Sequence, residues 1–238
     1  MMDNFDYIIV GAGSAGCVLA NRLSADGKNS VCLLEAGPVD WNPLIHIPAG
    51  FMITLTNPNV NWLFQAEPSW GTDGRIIDIP RGKTLGGSSS INGMVFNRGQ
   101  NMDFDVWAQK GNRGWSYSDI LPYFKKYENR SGDLDETYRG THGELPITDL
   151  EYRDPLCEAF IKGAVEEGIP LNNDYNGKSQ EGVSYVQRTT KGRFRVSSAK
   201  AFLNPVKSRK NLNIITNAFV TKVIFKNKTA IGVNYQKG

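Results

Sequence analysis

Apolar and helical patterns alternate at the start of the chain. Residues 6–10 form a short apolar run that ends at a glycine, which predicts a strand buried on both faces. Residues 14–25 carry apolar side chains at helical spacing, with Gly27 as the stop. Residues 30–37 form a second buried strand that ends in a glycine. Together these segments predict a parallel strand–helix–strand unit and therefore an α/β fold.

The pattern changes between residues 38 and 80, where prolines, asparagines and tryptophans accumulate without a long periodic segment. A long irregular stretch of this kind is typical of a functional lid. Beyond it, helical periodicity returns, and the last part of the chain alternates as strands do. The pattern predicts helices over residues 102–111, 116–130 and 154–169, and strands within residues 211–236 joined by a turn at 226–228.

Composition and charge exclude several classes of protein. With 238 residues, of which 40% are hydrophobic and 21% charged, the chain has the composition of a folded globular protein. A net charge of +3, with scattered basic residues, gives no argument for a nucleic-acid partner. No apolar run of 18 residues, basic leader or paired cysteine spacing is present, so we expect a reducing, cytoplasmic setting and no metal site.

A glycine motif, GAGSAG at residues 11–16, lies between the first predicted strand and helix. Gly11 permits the tight turn, Gly13 lets backbone amides approach a pyrophosphate, and Gly16 allows close helix packing. Glu35 closes the second strand about twenty residues later, where a carboxylate can bind the hydroxyls of an adenosine ribose. This pattern predicts a dinucleotide site for NAD or FAD, and the motif does not choose between them.

A second glycine-rich segment, RGKTLGGSSSINGM at residues 81–94, follows a basic cluster and continues into apolar residues. With the residues that follow, it resembles the first signature of the glucose–methanol–choline (GMC) oxidoreductases, a family of FAD enzymes. The resemblance also covers the N-terminal motif and the segment from residue 197 to residue 225. The matching positions of the signature are Gly82, Lys83, Leu85, Gly86, Gly87, Ser88, Ser89, Ile91, Asn92, Phe96, Gly99 and Asp105.

The resemblance favours FAD over NAD and implies a Rossmann-like FAD-binding domain with part of an α+β substrate domain. It implies an FAD-binding domain assembled from residues 1–37, 71–115 and 190–238, a lid or excursion over residues 38–70, and a partial substrate-binding domain over residues 116–189. The motifs and the resemblance together predict that the cofactor-binding residues are Gly11, Gly13, Ser14, Ala15, Gly16, Glu35, Ala36, Arg81, Leu85, Gly87, Ser88, Asn92, Gly93, Met94, Val95 and Val220.

One position departs from part of the family. Some GMC oxidases carry a histidine immediately before the asparagine of this signature and bond it covalently to the flavin. This chain has Ile91 there, which implies that FAD is bound non-covalently. Trp62 and Phe64 resemble the family's lid near the flavin, with a plain packing role as the alternative.

Family members of the choline and alcohol dehydrogenase type transfer a hydride from an alcohol carbon to flavin N5. The implied partners are a small-molecule alcohol and an electron acceptor, either oxygen or a quinone or dye. The resemblance places the catalytic histidine in a C-terminal half beyond this chain, so we predict no catalytic residue here and expect that half as a partner. His46 and His142 are predicted to be structural.

Two alternatives remain open at this point. A lyase could use the same FAD scaffold without net redox chemistry, and a non-catalytic nucleotide-binding remnant would also fit a chain without a matched catalytic histidine. The particular alcohol, and the choice between oxidase and dehydrogenase, stay undecided.

Overall fold

The computed structural model describes residues 4–132 and 134–238, which divide into two compact units. The first unit contains the chain up to Gly93 and Arg193–Gly238, and the second contains Met94–Gly192. Within the described residues the helices are α1 (Ser14–Leu23), α2 (Pro43–His46), α3 (Phe51–Thr54), α4 (Asn101–Gln109), α5 (Tyr117–Tyr127) and α6 (Pro155–Glu166). The strands are β1 (Tyr7–Val10), β2 (Val31–Leu34), β3 (Phe64–Gln65), β4 (Asp78–Ile79), β5 (Glu128–Arg130), β6 (Leu145–Ile147), β7 (Thr190–Lys191), β8 (Phe194–Arg195), β9 (Leu212–Ile215), β10 (Ala218–Lys226) and β11 (Thr229–Lys237).

A parallel sheet of order β1-β2-β9 forms the centre of the first unit. Leu33 of β2 lies opposite Ile9 of β1 on one side and Ile214 of β9 on the other. The helix α1 connects β1 to β2, so the predicted strand–helix–strand unit and the α/β class are confirmed. The β2 strand is buried along its whole length, as a central strand must be.

The prediction that the first strand is buried on both faces is wrong for β1. Tyr7 is 43% exposed and Val10 is 55% exposed, while Ile9 is buried. The reason is the strand order, because β1 is an edge strand of this sheet and β2 lies between it and β9. An apolar run reveals that a strand belongs to a sheet but not its place in the strand order.

The strands β10 and β11 form the antiparallel hairpin that the sequence predicts near the end of the chain. Lys226 pairs with Thr229, and Asn227 takes a positive φ of 55° in the turn between them. The hairpin follows β9 directly. Ala218 N donates a 2.8 Å hydrogen bond to Glu35 O, which joins the start of the hairpin to the chain after β2.

Short elements replace long ones between residues 38 and 80, as the absence of periodicity predicts. Asn42 caps α2 by accepting a 3.0 Å hydrogen bond from Leu44 N, and Pro43 occupies the first helical position. Ile45 of α2 packs with Val60 and with Ile91, which lies just beyond the glycine-serine stretch. The irregular segment belongs to the first compact unit, whereas residues 94–115 belong to the second. The predicted domain boundaries stay a prediction.

In the second unit, two helices begin with a capping side chain. Ser116 Oγ accepts a 3.3 Å hydrogen bond from Asp119 N at the start of α5. Asp154 accepts one of 2.9 Å from Leu156 N at the start of α6, and Pro155 follows at the first helical position.

A buried charge cluster stabilises the centre of the second unit. Glu128 has no exposed surface and forms ion pairs with both Arg98 and Arg139. Arg139 also donates hydrogen bonds of 3.1 Å to Gln187 Oε1, and Asn176 donates one of 3.0 Å to the same oxygen. Because Glu128 is the carboxylate that pairs with Arg98, removal of Glu128 would leave the buried Arg98 guanidinium uncompensated. No helix in the described part of the chain is long and apolar enough to cross a membrane.

Candidate cofactor-binding site

A cavity of about 410 Å³ lies in the first unit, where the turn after β1 meets the glycine-serine stretch. Many of the predicted cofactor residues surround it. Those that line the cavity are Gly11, Gly13, Ser14, Glu35, Ala36, Arg81, Gly87, Ser88 and Val220. The remaining lining residues are Val10, Leu34, Trp62, Gly82, Ala218 and Phe219.

The glycines of the first motif differ in their surroundings. Gly11 has a φ of +93°, a conformation that favours glycine. A Cβ on Gly16 would lie 1.9 Å from the carbonyl oxygen of Gly11, so this glycine allows α1 to pack against the turn. A Cβ on Gly13 would meet no atom within 4 Å, which leaves open space beside the cavity.

The N-terminus of α1 faces this open space without a side-chain cap. Gly13 is the N-cap residue, and the first turn of α1 contains no acidic residue. The N–H groups of a first helical turn have no partner within the helix, and they form the positive end of its dipole. The arrangement is that of a phosphate-binding helix N-terminus.

The two glycine motifs contact each other directly. Gly86 N donates a 2.7 Å hydrogen bond to Ala12 O, and a Cβ on Gly87 would lie 2.7 Å from Gly13 Cα. Gly86 and Gly87 both have a positive φ, of 88° and 54°. These glycines therefore let two stretches of backbone pack together.

Residues 86–90 form a turn, called the Gly-Ser turn below, in which the three serines have different structural roles. Ser89 Oγ donates to Gly86 O at 2.6 Å and Ser90 Oγ donates to Leu85 O at 2.7 Å, so both hydroxyls close the turn. Ser88 lines the cavity, and its Oγ accepts a 3.1 Å hydrogen bond from Gly82 N. A hydroxyl that accepts in this way keeps its O–H group as a donor.

Glu35 is buried between the two motifs, at 5% exposure. Its Oε2 accepts a 2.8 Å hydrogen bond from Ala12 N and its Oε1 accepts a 2.9 Å hydrogen bond from Gly37 N. Burial raises the pKa of Glu35, and the amides of Gly37 and Ala12 lower it in part. The carboxylate therefore holds the glycine turn against the end of β2. Each carboxylate oxygen has a second lone pair, which leaves acceptor capacity towards the cavity.

Aromatic side chains form one side of the cavity. Trp62 and Phe219 line it with their ring centroids 5.9 Å apart, and Phe64 stacks on Trp62 at 5.7 Å. Lys83 Nζ lies 4.8 Å from the centroid of the Trp62 ring. Trp62 thus lies beside Phe219 and Val220, and Val220 is one of the predicted cofactor-binding residues. The sequence interpretation missed Phe219, for which adjacency to Val220 was the available signal.

The other predicted cofactor residues do not line this cavity. Leu85 is buried at the start of the Gly-Ser turn, while Asn92 and Gly93 are exposed just beyond it. Met94 and Val95 belong to the second unit. The residues outside the lining are Ala15, Gly16, Leu85, Asn92, Gly93, Met94 and Val95. Their contacts with a cofactor stay predictions.

Other reactive side chains have ordinary structural surroundings. His46 Nε2 lies 2.7 Å from the carbonyl oxygen of Asp40, and His142 is an exposed residue of the second unit. Burial raises the pKa of Cys17 to about 12, so its thiol is not a nucleophile near neutral pH. Among the residues that the structure describes, no group of three or more His, Cys, Asp or Glu side chains could hold a metal ion.

Comparison with known proteins identifies the family. The GMC oxidoreductase model matches residues 5–238. The chain belongs to the GMC oxidoreductase family. The resemblance inferred from the glycine-serine signature is therefore confirmed.

This GMC chain is similar to two groups of curated relatives. It is 50% identical to an alcohol dehydrogenase [acceptor] from Pseudomonas putida over 231 residues, which are 97% of this chain and 42% of the relative. It is 42% identical to an oxygen-dependent choline dehydrogenase from Brucella ovis over 233 residues, which are 98% of this chain and 42% of the relative. The chain thus spans less than half the length of these relatives.

Solved structures of other proteins have the same fold. A pyridoxine 4-oxidase from Mesorbium loti superimposes with a TM-score of 0.93 at 33% identity, over 98% of this chain and 46% of that chain. An FAD-dependent oxidoreductase from Chaetomium thermophilum gives a TM-score of 0.90 at 32% identity, over 98% of this chain and 42% of that chain. These likenesses confirm the Rossmann-like α/β fold.

Proposed function

We propose that this GMC chain binds FAD and forms the cofactor-binding part of an enzyme that oxidises an alcohol. The observation that carries the proposal is the meeting of the two glycine motifs around one cavity. Gly86 N bonds Ala12 O at 2.7 Å, and Glu35 holds the first motif to the end of β2. A dinucleotide that contains a flavin needs both a phosphate-binding turn and a close-packed backbone beside its ring.

The residues around the cavity fit the polar parts of FAD. The uncapped N-terminus of α1 and the open space at Gly13 suit a pyrophosphate, and Arg81 adds a positive charge to the same lining. The Glu35 carboxylate suits the ribose, because each of its oxygens accepts one backbone hydrogen bond and can accept another from a ribose hydroxyl. Phe219 and Val220 supply an apolar surface for the adenine. The solved relative from Chaetomium thermophilum is itself described as FAD-dependent.

The cofactor is proposed to be held without a covalent bond. Ile91 occupies the position where some family members carry the attached histidine. Its side chain is 1% exposed and packs with Ile45 and Val60. An aliphatic side chain in such a cluster offers no nucleophile to a flavin.

The names of the relatives indicate the substrate class. When bound, FAD supplies a two-electron acceptor for the hydride of an alcohol carbon. This chain's residues bind and orient that cofactor, and we propose a small alcohol as substrate with oxygen or another electron acceptor as oxidant, as the relatives' names state for those proteins. We assign no catalytic base to the cavity, because two backbone amides hold Glu35 and Cys17 is buried.

The relatives' chains are more than twice as long as this one, since it spans 42% of their length. We propose that the base, and the rest of the flavin's enclosure, come from the region equivalent to their remaining length. General-base catalysis typically contributes about 10²–10⁴-fold to the rate, so its loss is readily measured.

The experiment supplies this chain with FAD, an electron-accepting dye and a panel of alcohols, with and without that second region as a separate chain. Turnover is expected in the combined sample alone. Reduction of the flavin by an alcohol without oxygen distinguishes oxidation from a lyase reaction on the same scaffold. Robust turnover by this chain alone would contradict the placement of the base, and His46 and His142 would then be the residues to substitute first.

A further inference from the structure

The central sheet of the first unit has two edge strands, β1 and β9, and the residues that they expose differ in polarity. On β9 the exposed residue is Asn213, whereas Leu212 is buried and the two isoleucines are half-buried. On β1 three of the four residues are exposed and all four are hydrophobic, with Ile8 at 38% between the more exposed Tyr7 and Val10. The edge at β1 therefore exposes apolar surface that the edge at β9 does not.

The strand β1 lacks the features with which natural proteins protect an open sheet edge. Such edges carry charged side chains, a proline or a β-bulge that prevents another strand from pairing. Tyr7–Val10 contains no charged residue and no proline, and its register with β2 runs without a bulge. Among the described residues, no strand pairs with the other side of β1. This side is therefore open to a further strand.

The sequence of β1 is that of an interior strand. A continuous apolar run is typical of a parallel strand whose two faces are covered. The first strand of a doubly wound sheet commonly lies inside the sheet and has a neighbour on each side. In this chain β1 has one neighbour, β2. The exposure of β1 is thus explained if its second neighbour belongs to another segment.

An apolar cleft begins at β1. It has a volume of about 520 Å³ and lies within the first unit. Ile8 and Leu34 line it from the sheet, and Ile224, Ile231 and Tyr235 line it from the β10–β11 hairpin. Alternate residues of a strand lie on the same face of its sheet. A strand beside β1 would therefore add side chains to this apolar surface and cover Ile8.

We infer that the open side of β1 is the docking edge for a strand of the region equivalent to the relatives' remaining length, and that this docking and FAD binding strengthen each other. The relatives are more than twice as long as this chain, which spans 42% of their length. The added strand would pair with β1 through backbone hydrogen bonds, as in other cases of strand addition. The inference rests on the proposed function, which requires that second region in the enzyme.

The docking edge adjoins the cofactor cavity, which is the reason for the coupling. Val10 is the last residue of β1 and lines the cavity, and Gly11 begins the glycine turn directly after it. A strand beside β1 would hold Val10 and that turn in place. FAD bound at the same turn favours the docked state, and by linkage the docked state favours FAD by the same factor.

The first test measures amide hydrogen exchange in this chain alone and in its co-expressed complex with the second region. The second region is supplied as the part of the Pseudomonas putida relative that lies outside the match. About half of the β1 amides face away from β2, because N–H groups along a strand alternate in direction. These amides should exchange fast in this chain alone and lose their fast exchange in the complex. The internal control is β2, which lies between two strands and should be protected in both samples.

The second test compares Ile8→Lys with Phe225→Lys in the same complex. Lysine on an edge strand is a device with which natural sheets prevent further pairing. Phe225 is the matched control, because it is an exposed strand residue near the hairpin turn and outside the cleft. Ile8→Lys should weaken the association of the two chains at least about tenfold, and Phe225→Lys should leave it unchanged. The exchange measurement on the wild-type complex decides the question if Ile8→Lys fails to fold.

The third test titrates FAD into this chain and into the complex, which should bind FAD at least about fivefold more tightly. Equal affinities would overturn the coupling. Fast β1 exchange in the complex, failure of the two regions to associate, or an equal loss in both lysine variants would overturn the docking edge. Protection of β1 by a dimer of this chain alone would assign the edge to a second copy and would also overturn the inference. A complex that protects β1 and does not bind FAD would instead overturn the proposed function.

Discussion

Glu35 connects the end of β2 to the turn before α1, and its replacement by glutamine tests that connection. The carboxylate accepts hydrogen bonds from Ala12 N at 2.8 Å and from Gly37 N at 2.9 Å. Glutamine has nearly the same shape, but its amide nitrogen donates and does not accept. In E35Q one of the two backbone N–H groups therefore faces another donor.

The expected loss of stability follows from these contacts. A hydrogen bond to a charged group is worth about 1.5–3 kcal/mol, and a buried donor left without a partner costs about 1–3 kcal/mol. The two figures describe the same lost contact, so they are not added. Glu35 is 5% exposed, and removal of a buried charge recovers part of the cost. We expect E35Q to lower the free energy of unfolding by about 1–3 kcal/mol.

The contribution of Glu35 to the free energy of unfolding changes with pH in a definite direction. Burial raises the pKa of Glu35 above its ordinary value, so the folded state binds this proton more tightly than the unfolded state. The contribution of Glu35 to the free energy of unfolding is fully present below the ordinary pKa of about 4.3 and falls as pH rises through the raised pKa. E35Q lacks this dependence, so the stability difference between variant and wild type narrows as pH rises.

The assay is urea unfolding followed by tryptophan fluorescence, between about pH 4 and pH 8. E166Q is the matched control, because Glu166 is exposed and lies 3.8 Å from Lys162 in an i,i+4 pair. Such a pair contributes about 0.5 kcal/mol at most. Unfolding of E35Q at the wild-type urea concentration, with an unchanged pH slope, would refute the role assigned to Glu35.

Three further predictions follow from the same structure. Gly13→Val should keep the wild-type melting temperature, because its Cβ would meet no protein atom within 4 Å, but it should lose FAD, because the side chain would fill the space proposed for the pyrophosphate. Gly16→Ala should unfold the first unit, because its Cβ would lie 1.9 Å from Gly11 O. Equal melting temperatures for the two variants would contradict this prediction. Acid precipitation should leave the yellow colour in the supernatant, since Ile91 cannot bond the flavin; colour in the washed pellet would disprove it. Glu128→Ala should cost about 3–5 kcal/mol in urea unfolding, because Arg98 stays buried without its carboxylate partner and Arg139 keeps only its ion pair with Asp174, and a loss below that of Glu128→Gln would count against it.

The sequence predicted the elements of the fold better than their arrangement. The strand–helix–strand unit, the helices α5 and α6 and the final hairpin depend on local patterns, and the structure contains all of them. The exposure of β1 was not foreseen, because it depends on the strand order. The parallel pairing of β9 with β2 joins residues about 180 positions apart, such as Leu33 and Ile214, and no local pattern encodes it.

The residues of the candidate site also differ in how well the sequence predicted them. Gly11, Gly13 and Glu35 were predicted from the spacing of the first motif alone, and they line one cavity. Arg195 was missed, because it bonds the carbonyl oxygen of Ser89 and the side chain of Asn92 from more than 100 positions along the chain. An arginine among other basic residues carries no mark of burial in its sequence. The contact of Gly87 with Gly13 was also missed, since it appears only in the fold.

The most direct test of the central claim is a binding titration of the purified apoprotein with FAD and, in parallel, with NAD. We predict saturable FAD binding that quenches tryptophan fluorescence, since Trp62 lines the cavity, and that yields a yellow protein with an oxidised-flavin spectrum. NAD should not compete. A colourless protein that binds NAD and does not bind FAD would contradict the account.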